Sequence, residues 1–158
     1  MTPGEIELAH SVFGEAIDYR RVRLANHKWW LFQPAGTVMA PTGCIHFHPG
    51  DGRWCADFTG AAIDHQGLFI HEMTHVWQTQ RRGHWYLPLM RHPFCRYRYS
   101  VVTGRRFEEY GLEQQGEILR HLFLARHGRG VPGMPVRAQL ETILASSADP
   151  RLAAQARP

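Results

Sequence analysis

The chain has 158 residues, of which 44% are apolar, and its formal net charge is +4. This length and composition allow one buried core without disulfides, so we expect a single domain over residues 1–148 and a flexible tail over residues 149–158. No run of residues is long and apolar enough to cross a bilayer, so no membrane span is expected.

The amino terminus and the cysteines bear on the compartment in which the chain works. Residues 1–8 lack the basic start and apolar stretch of a secretory signal peptide, so a cytoplasmic location is expected and signal-independent export stays open. Cys44, Cys55 and Cys95 have no CxxC spacing, so we predict buried thiols rather than a disulfide framework or a thiolate zinc cage. A Cys44–Cys55 bridge is the alternative for an exported chain.

One helix and several short strands are predicted in the first part of the chain. Thr2-Pro3-Gly4-Glu5 is typical of a capping box with proline at the first helical position, and it predicts a helix that stops at Gly14. Short strands are predicted at residues 22–24, 29–32, 37–40 and 44–48. They form a small, mostly antiparallel sheet, in which residues 37–40 or residues 44–48 would be the edge that binds an extended substrate.

Three further helices are predicted. The first runs from an N-cap at Asp64 to a stop at Gly83, and an aromatic, basic loop over residues 84–106 follows it. The second begins near Tyr110 and has an apolar stripe beside a polar one. The third opens at Pro135 and continues through residue 146.

The segment His71-Glu72-Met73-Thr74-His75 lies in the middle of the first of these helices. Residues four apart share one helix face, so His71 and His75 can direct their imidazoles at one metal ion. Glu72 points beside that ion, where a carboxylate can take a proton from a zinc-bound water. The motif predicts one zinc ion per chain, with His71 and His75 as ligands and Glu72 as the catalytic base.

A third ligand must come from another part of the chain. The extended motif HExxHxxGxxH is excluded, because Gln78 and Arg81 stand where it has glycine and histidine. Glu113 and Glu117 lie on one stripe of the following helix, so one can bind zinc while the other holds a ligating imidazole through its free ring N–H. The residues alone leave both assignments open.

With HExxH followed by a glutamate-bearing helix, the sequence resembles the gluzincin zinc peptidases, whose second helix often carries Glu-x-x-Ala-Asp. Glu113-Gln114-Gln115-Gly116-Glu117 is similar to that pattern, with Gly for Ala and Glu for Asp. The resemblance implies Glu113 as third ligand and Glu117 as the supporting acid, while the two substitutions keep the reverse assignment open. It also implies an α+β minimal zincin fold, minigluzincin-like, with an N-terminal helix, a small sheet, an active-site helix, a glutamate-bearing helix and a C-terminal helix.

The segment Val12–Leu24 and the motifs above also resemble small bacterial HExxH domains of unknown function. Some of these are encoded with contractile injection or type VI secretion systems, and the similarity over residues 2–127 extends to proteins related to the valine-glycine-repeat spike. The resemblance implies a component of a secretion system.

Other side chains are candidates for supporting roles. Donors to a tetrahedral oxyanion are sought among Tyr97, Tyr99, Tyr110 and His92. Cys95 or His92 would keep an enzyme latent if it supplied a fourth ligand. His46 and His48 are two residues apart on a predicted strand, so both face the same side of it. One interpretation is a separate metal site, and the other is that each ring stacks on a neighbour or bonds to the backbone.

The expected function is zinc-dependent hydrolysis of peptide bonds, in a protein or in cell-wall peptide, by a zinc-bound water that Glu72 deprotonates. The alternative is a non-catalytic zincin that serves as an adaptor or accessory protein of a secretion system. A base beside an open coordination position favours the enzyme. The basic residues after the active-site helix are interpreted as a solvated rim, and nucleic acid is not an expected partner.

Overall fold

The computed structural model describes residues 1–50, 52–90 and 95–157. Within these ranges the order is α1 (Pro3–Phe13), β1 (Arg23–Ala25), β2 (Cys44–His46), α2 (Ile63–Arg82), α3 (Tyr86–Met90), α4 (Leu112–Arg126), α5 (Arg137–Ala145) and α6 (Pro150–Ala153). Short 3₁₀ turns lie at Gly14–Ala16, Tyr19–Arg21, Phe58–Gly60 and Phe107–Glu109. The predicted α+β class is confirmed.

Helix α1 begins as its sequence predicts. The backbone N–H of Glu5 donates to Thr2 Oγ1 at 3.1 Å, and the N–H of Thr2 donates to the Glu5 carboxylate at 2.8 Å. Pro3 occupies the first helical turn, where its missing N–H costs nothing. The helix ends at Phe13 because Gly14 turns to a φ of 48°, a region that favours glycine.

The sheet differs from the prediction of a mostly antiparallel arrangement. Strands β1 and β2 pair in parallel, with Leu24 opposite Ile45, and an antiparallel bridge joins Met39 to His46. The predicted strand over residues 29–32 is instead a turn, in which the N–H of Gln33 donates to the Trp30 carbonyl at 3.1 Å. The predicted strand over residues 37–40 contributes only the bridge at Met39. A parallel pair needs a long connection between its strands, and residues 26–43 supply it.

Helices α2 and α4 lie side by side and run in opposite directions. Gly67, near the start of α2, packs against Leu124 near the end of α4, and Gln78 bonds to the Leu112 carbonyl at the other end. A Cβ at Gly67 would lie 3.2 Å from Leu124 Cδ2, so a glycine permits the close approach here. The two helices share a core of buried apolar side chains: Phe69, Met73, Val76, Trp77, Ile118, Leu119, Leu122 and Phe123.

The boundaries of α2 are partly as predicted. Gly83, with a φ of 100°, ends the helix, and its N–H bonds back to the Thr79 carbonyl. The predicted N-cap at Asp64 is wrong, because the helix already begins at Ile63 and Ala62 occupies the cap position without a side-chain hydrogen bond. Asp64 lies in the first turn, where a negative charge suits the helix dipole.

The carboxyl-terminal residues have more to bury than the sequence suggested. Asp149 caps α6 by accepting from the Arg151 N–H at 3.1 Å, and Leu152 is fully buried in the main core. Helix α5 is flanked at its start by Val136 rather than opening at Pro135. The sequence predicted a flexible tail with little to bury over residues 149–158, and the burial of Asp149 and Leu152 corrects the second part of that prediction.

The cysteines and strand histidines play modest parts in the fold. Cys44, Cys55 and Cys95 are not in a disulfide, and all three are partly rather than fully buried. The His46 and His27 rings meet edge to face, while His48 accepts a hydrogen bond from the Gly50 N–H. Among the described residues, no helix is both long and apolar enough to cross a membrane.

Candidate metal centre

Three side chains from α2 and α4 bring metal-ligating atoms together. His71 Nε2 lies 3.2 Å and His75 Nε2 lies 3.4 Å from the same oxygen, Oε2 of Glu113. Ligand atoms held about 2.0–2.1 Å from a tetrahedral zinc ion lie roughly 3.3 Å apart, so both distances match the edges of such a tetrahedron. All three residues are buried. His71, His75 and Glu113 therefore form a group that could hold a metal ion.

The remaining ring nitrogens of the two histidines face acceptors. His75 Nδ1 lies 2.9 Å from Gln78 Oε1, and His71 Nδ1 lies 2.9 Å from Glu117 Oε1. In a metal-bound state, protons held on the two Nδ1 atoms by these acceptors would leave both Nε2 lone pairs free to bind the ion beside Glu113. Of the two glutamates that the sequence left open, Glu113 reaches both Nε2 atoms, whereas Glu117 contacts the opposite nitrogen of His71.

Gln78 was missed by the sequence reasoning, which used it only to exclude a longer motif. Its amide nitrogen donates to the Leu112 carbonyl at 3.1 Å and to Gln115 Oε1 at 2.9 Å, which leaves its oxygen for His75. Gln78 thus joins a histidine of α2 to the first turn of α4. Its position one helical turn after His75 was the signal that could have identified it.

Gly116 explains one departure from the Glu-x-x-Ala-Asp pattern. A Cβ at this position would lie 2.7–2.9 Å from three atoms of the His71 ring, closer than side chains tolerate. The His71 imidazole therefore lies directly on the backbone of α4, between Glu113 on one turn and Glu117 on the next. The glycine was noted in the sequence as a substitution, and its reason is visible only once the two helices are packed.

Glu72 lies beside this group and opens onto a cavity. The cavity has a volume of about 570 Å³, and its lining includes His71, Glu72 and Glu117. Within residues 1–50, 52–90 and 95–157, neither Glu72 Oε2 nor His75 Nε2 makes a hydrogen bond, although both atoms are buried. Buried polar atoms normally have hydrogen-bond partners. A cation bound at His75 Nε2 and a water molecule bonded to Glu72 Oε2 would supply the missing partners.

The electrostatics of His71 follow from the same neighbours. Burial lowers the pKa of its imidazole, but the carboxylates of Glu113, Glu117 and Glu72 outweigh burial and raise that pKa to about 9. Three carboxylates around one buried histidine attract a positive charge, which a proton supplies in the metal-free protein. A divalent cation would satisfy the same field, so metal binding and protonation of His71 compete.

A second histidine, His121, contacts the Glu117 oxygen that does not face His71. His121 Nε2 lies 3.3 Å from Glu117 Oε2, and His121 Nδ1 lies 2.8 Å from the hydroxyl of Tyr99. The resulting chain of contacts runs from His71 through Glu117 and His121 to Tyr99. His121 was not singled out in the sequence, although it lies one turn beyond Glu117 on the same helix.

The candidate oxyanion donors do not all reach the cavity. Tyr97 lines it and stacks on the His71 ring, with centroids 6.2 Å apart. Tyr99 is turned toward His121, and the Tyr110 hydroxyl accepts from the Val102 N–H in the core. His92 lies outside the described residues, both as a donor and as a fourth ligand. Cys95, the other suggested fourth ligand, lines a separate cavity.

Comparison with known proteins relates the chain to one bacterial system. No protein-family model matches the sequence. The chain is 40% identical over 137 residues to the type VI secretion system spike protein VgrG2b of Pseudomonas aeruginosa, a match that covers 82% of this chain and 13% of that protein. The solved structure of the effector domain of Pseudomonas aeruginosa VgrG2b is similar to it, with a TM-score of 0.72 and 35% identity, over 92% of this chain and 81% of that domain.

Proposed function

Since this chain belongs to the family of the VgrG2b effector domain, we propose that it is a zinc-dependent peptidase that acts as a component of a type VI secretion system. The association with secretion rests on the relatives. The peptidase activity rests on the chain's own residues, and in particular on one observation. Two imidazole nitrogens lie 3.2 and 3.4 Å from one carboxylate oxygen, and beside them the Oε2 atom of the buried Glu72 makes no hydrogen bond within the described residues.

Each residue of the site has a role in this proposal. His71, His75 and Glu113 would hold a zinc ion, which when bound would polarise the carbonyl of a scissile amide. Gln78 and Glu117 fix the orientation of the two imidazoles through their Nδ1 atoms. The supporting shell matters because a ligand held loosely loses both affinity and geometry.

Glu72 handles the protons. It takes one from the attacking water and returns it to the leaving amine. Its Oε2 atom can do so because that atom makes no hydrogen bond to the part of the chain that the structure describes. Tyr97, on the cavity wall next to His71, is the donor to the oxyanion that develops on the substrate carbonyl. The cavity supplies room for the peptide around these groups.

The test combines metal content with hydrolysis. Zinc per chain is measured by mass spectrometry in the wild type, Glu113→Gln, Glu117→Gln and Glu72→Gln, and each protein is then assayed on a library of quenched-fluorescent peptides. We expect zinc in the wild type and in Glu72→Gln, and its loss in Glu113→Gln. We expect Glu72→Gln to retain zinc but to cleave about 10²–10⁴-fold more slowly.

Glu117→Gln is the matched control for Glu113, since both carboxylates lie on α4 and contact His71. It should still load at saturating zinc, with an affinity lowered about 10–100-fold. A zinc-loaded wild type that cleaves no peptide of the library would reject the peptidase and favour the adaptor alternative. A wild type that binds no zinc would reject the metal centre itself.

A further inference from the structure

Four consecutive apolar side chains project into solvent between β1 and β2. Trp29, Trp30, Leu31 and Phe32, here called the apolar loop, have exposed fractions of 43%, 47%, 76% and 71%. Scattered apolar residues on a surface need no explanation, but a contiguous group of this size marks a contact surface. The Trp30 and Phe32 rings also touch edge to face, so these two exposed rings form one cluster.

A buried polar residue holds this loop outward. Gln33 is only 2% exposed, and its side-chain oxygen accepts from the Trp29 N–H at 2.8 Å. Its amide nitrogen donates to the carbonyls of Thr37 and His46 at 2.8 and 3.2 Å. The usual arrangement is inverted, since a glutamine is buried while two tryptophans, a leucine and a phenylalanine are exposed. The fold therefore fixes the loop in its exposed position instead of leaving it to collapse onto the core.

The segment that carries the apolar loop contains charged residues of one sign only. Residues 19–50 contain no aspartate or glutamate, whereas Lys28 immediately precedes the loop and Arg21 and Arg23 lie on the approach to it. All three cationic residues are exposed. Apolar side chains that include tryptophan, flanked by cations and lacking acids, complement the surface of an anionic bilayer, where the rings enter the headgroup region and the cations remain at the phosphates.

We propose that the apolar loop is an interfacial anchor that inserts Trp29, Trp30, Leu31 and Phe32 into the surface of an anionic phospholipid bilayer. The same chain reaches the cavity wall a few residues later, at Gly36, Thr37 and Val38. Gln33 connects the two through its bond to the Thr37 carbonyl. Anchoring would hold the cavity beside the membrane surface, so it selects peptides that lie close to a bilayer.

The test measures binding to vesicles directly. The wild type is mixed with vesicles of phosphatidylcholine alone or with phosphatidylglycerol added, and binding is followed by cosedimentation and by the tryptophan emission maximum. We expect binding and a blue shift with the anionic vesicles. Replacing Leu31 and Phe32 together by serine should weaken binding at least about tenfold, because two large apolar side chains no longer leave water. Lys28→Gln should weaken binding to anionic vesicles roughly fivefold and should not change binding to neutral vesicles.

The matched control is a second exposed apolar pair on α3. Leu89 and Met90 are 79% and 52% exposed, so replacing both by serine removes similar apolar area elsewhere on the surface. This variant should bind vesicles like the wild type. Equal losses from the two pairs would reject a dedicated anchor. Failure of the wild type to bind either vesicle would overturn the proposal. If the wild type instead formed a dimer, and the double variant Leu31→Ser with Phe32→Ser were monomeric, the apolar loop would be a contact between two copies of the chain.

Discussion

At the scale of single residues, Gly116 sets the distance between His71 and the backbone of α4. We predict that Gly116→Ala lowers zinc affinity at least about tenfold, because a Cβ 2.7–2.9 Å from the ring pushes the imidazole away from Glu113. The helix itself should tolerate alanine, which has the better helix propensity. Zinc affinity by competition with a chelating dye measures the effect.

Gly67→Ala is the control for this prediction. It also adds a methyl group to a buried helical glycine at the α2–α4 interface, but the nearest atoms belong to the Leu124 and Arg120 side chains rather than to a candidate metal ligand. Zinc affinity should stay within about twofold of the wild type, whatever the change in stability. If both alanine variants lost zinc equally, the spacing of the helices rather than the His71 contact would be responsible.

Gln78 presents a second residue-scale prediction. Gln78→Leu keeps a similar volume but removes the acceptor for His75 Nδ1, so the ring no longer has a fixed orientation and zinc affinity should fall about 10–100-fold. Gln80→Leu is the comparison on the same helix, since the Gln80 side chain bonds to the backbone of Asp18 and not to a histidine of the candidate site. It should lower the melting temperature without changing zinc affinity, and a loss of zinc in both variants would contradict the role of Gln78.

The candidate site shows what residue patterns reveal and what they leave out. His71, Glu72 and His75 are predictable because a helix fixes the directions of residues four apart. Glu113 and Glu117 could not be ranked, since both lie on one stripe and only the packing of α4 against α2 decides which carboxylate meets the Nε2 atoms. Such packing depends on side chains distant in sequence.

At the scale of elements, the start of α2 is a place where one substitution should raise the stability of the protein. Ala62 occupies the N-cap, is exposed, and supplies no acceptor for the N–H groups of the first turn. Ala62→Ser should stabilise the protein by about 1 kcal/mol and raise the melting temperature by roughly 2–4 °C. Thermal unfolding followed by circular dichroism measures it. Ala62→Val, which adds volume without an acceptor, should give no such gain, and an equal gain would contradict the capping explanation.

The prediction of secondary structure was wrong where a polar side chain, rather than a neighbouring strand, made hydrogen bonds to the backbone. Helix α1 was predictable because its capping box is local, and it formed as expected. Residues 29–32 have the composition of a strand, yet the side chain of Gln33 bonds to the backbone there and closes a turn. The parallel pairing of β1 with β2 joins residues 21 positions apart, which no local pattern encodes.

At the scale of the whole molecule, Arg126 ties together segments that are distant in sequence. Its guanidinium donates to both oxygens of Glu141 at 2.9 and 2.7 Å, and also to the carbonyls of Ser11 and Gln155. The Arg126 and Glu141 side chains are 5% and 6% exposed. Helices α4 and α5, the end of α1 and the carboxyl-terminal residues therefore meet at one buried ion pair.

Breaking this ion pair should destabilise the fold strongly. Arg126→Met leaves the Glu141 carboxylate buried without its main partner, and we predict a loss of about 3–5 kcal/mol in the free energy of unfolding at neutral pH. Arg137→Met is the matched control, since Arg137 also pairs with Glu141 but is 47% exposed, and it should cost about 1 kcal/mol or less. Equal losses in urea unfolding would contradict the importance of burial.

The same ion pair predicts how stability depends on pH. Burial raises the pKa of Glu141, but the bonds from Arg126, the Arg157 N–H and Arg137 outweigh burial and hold that pKa below 4.5. The stabilisation is therefore fully present above about pH 4.5 and is lost as the pH falls through the lowered pKa of the folded state. Urea unfolding of the wild type and Arg126→Met should differ most at neutral pH and converge as the pH falls below the lowered pKa of Glu141. A difference that stayed constant as the pH was lowered would assign the effect of Arg126 to the packing of its side chain, because packing does not titrate with Glu141.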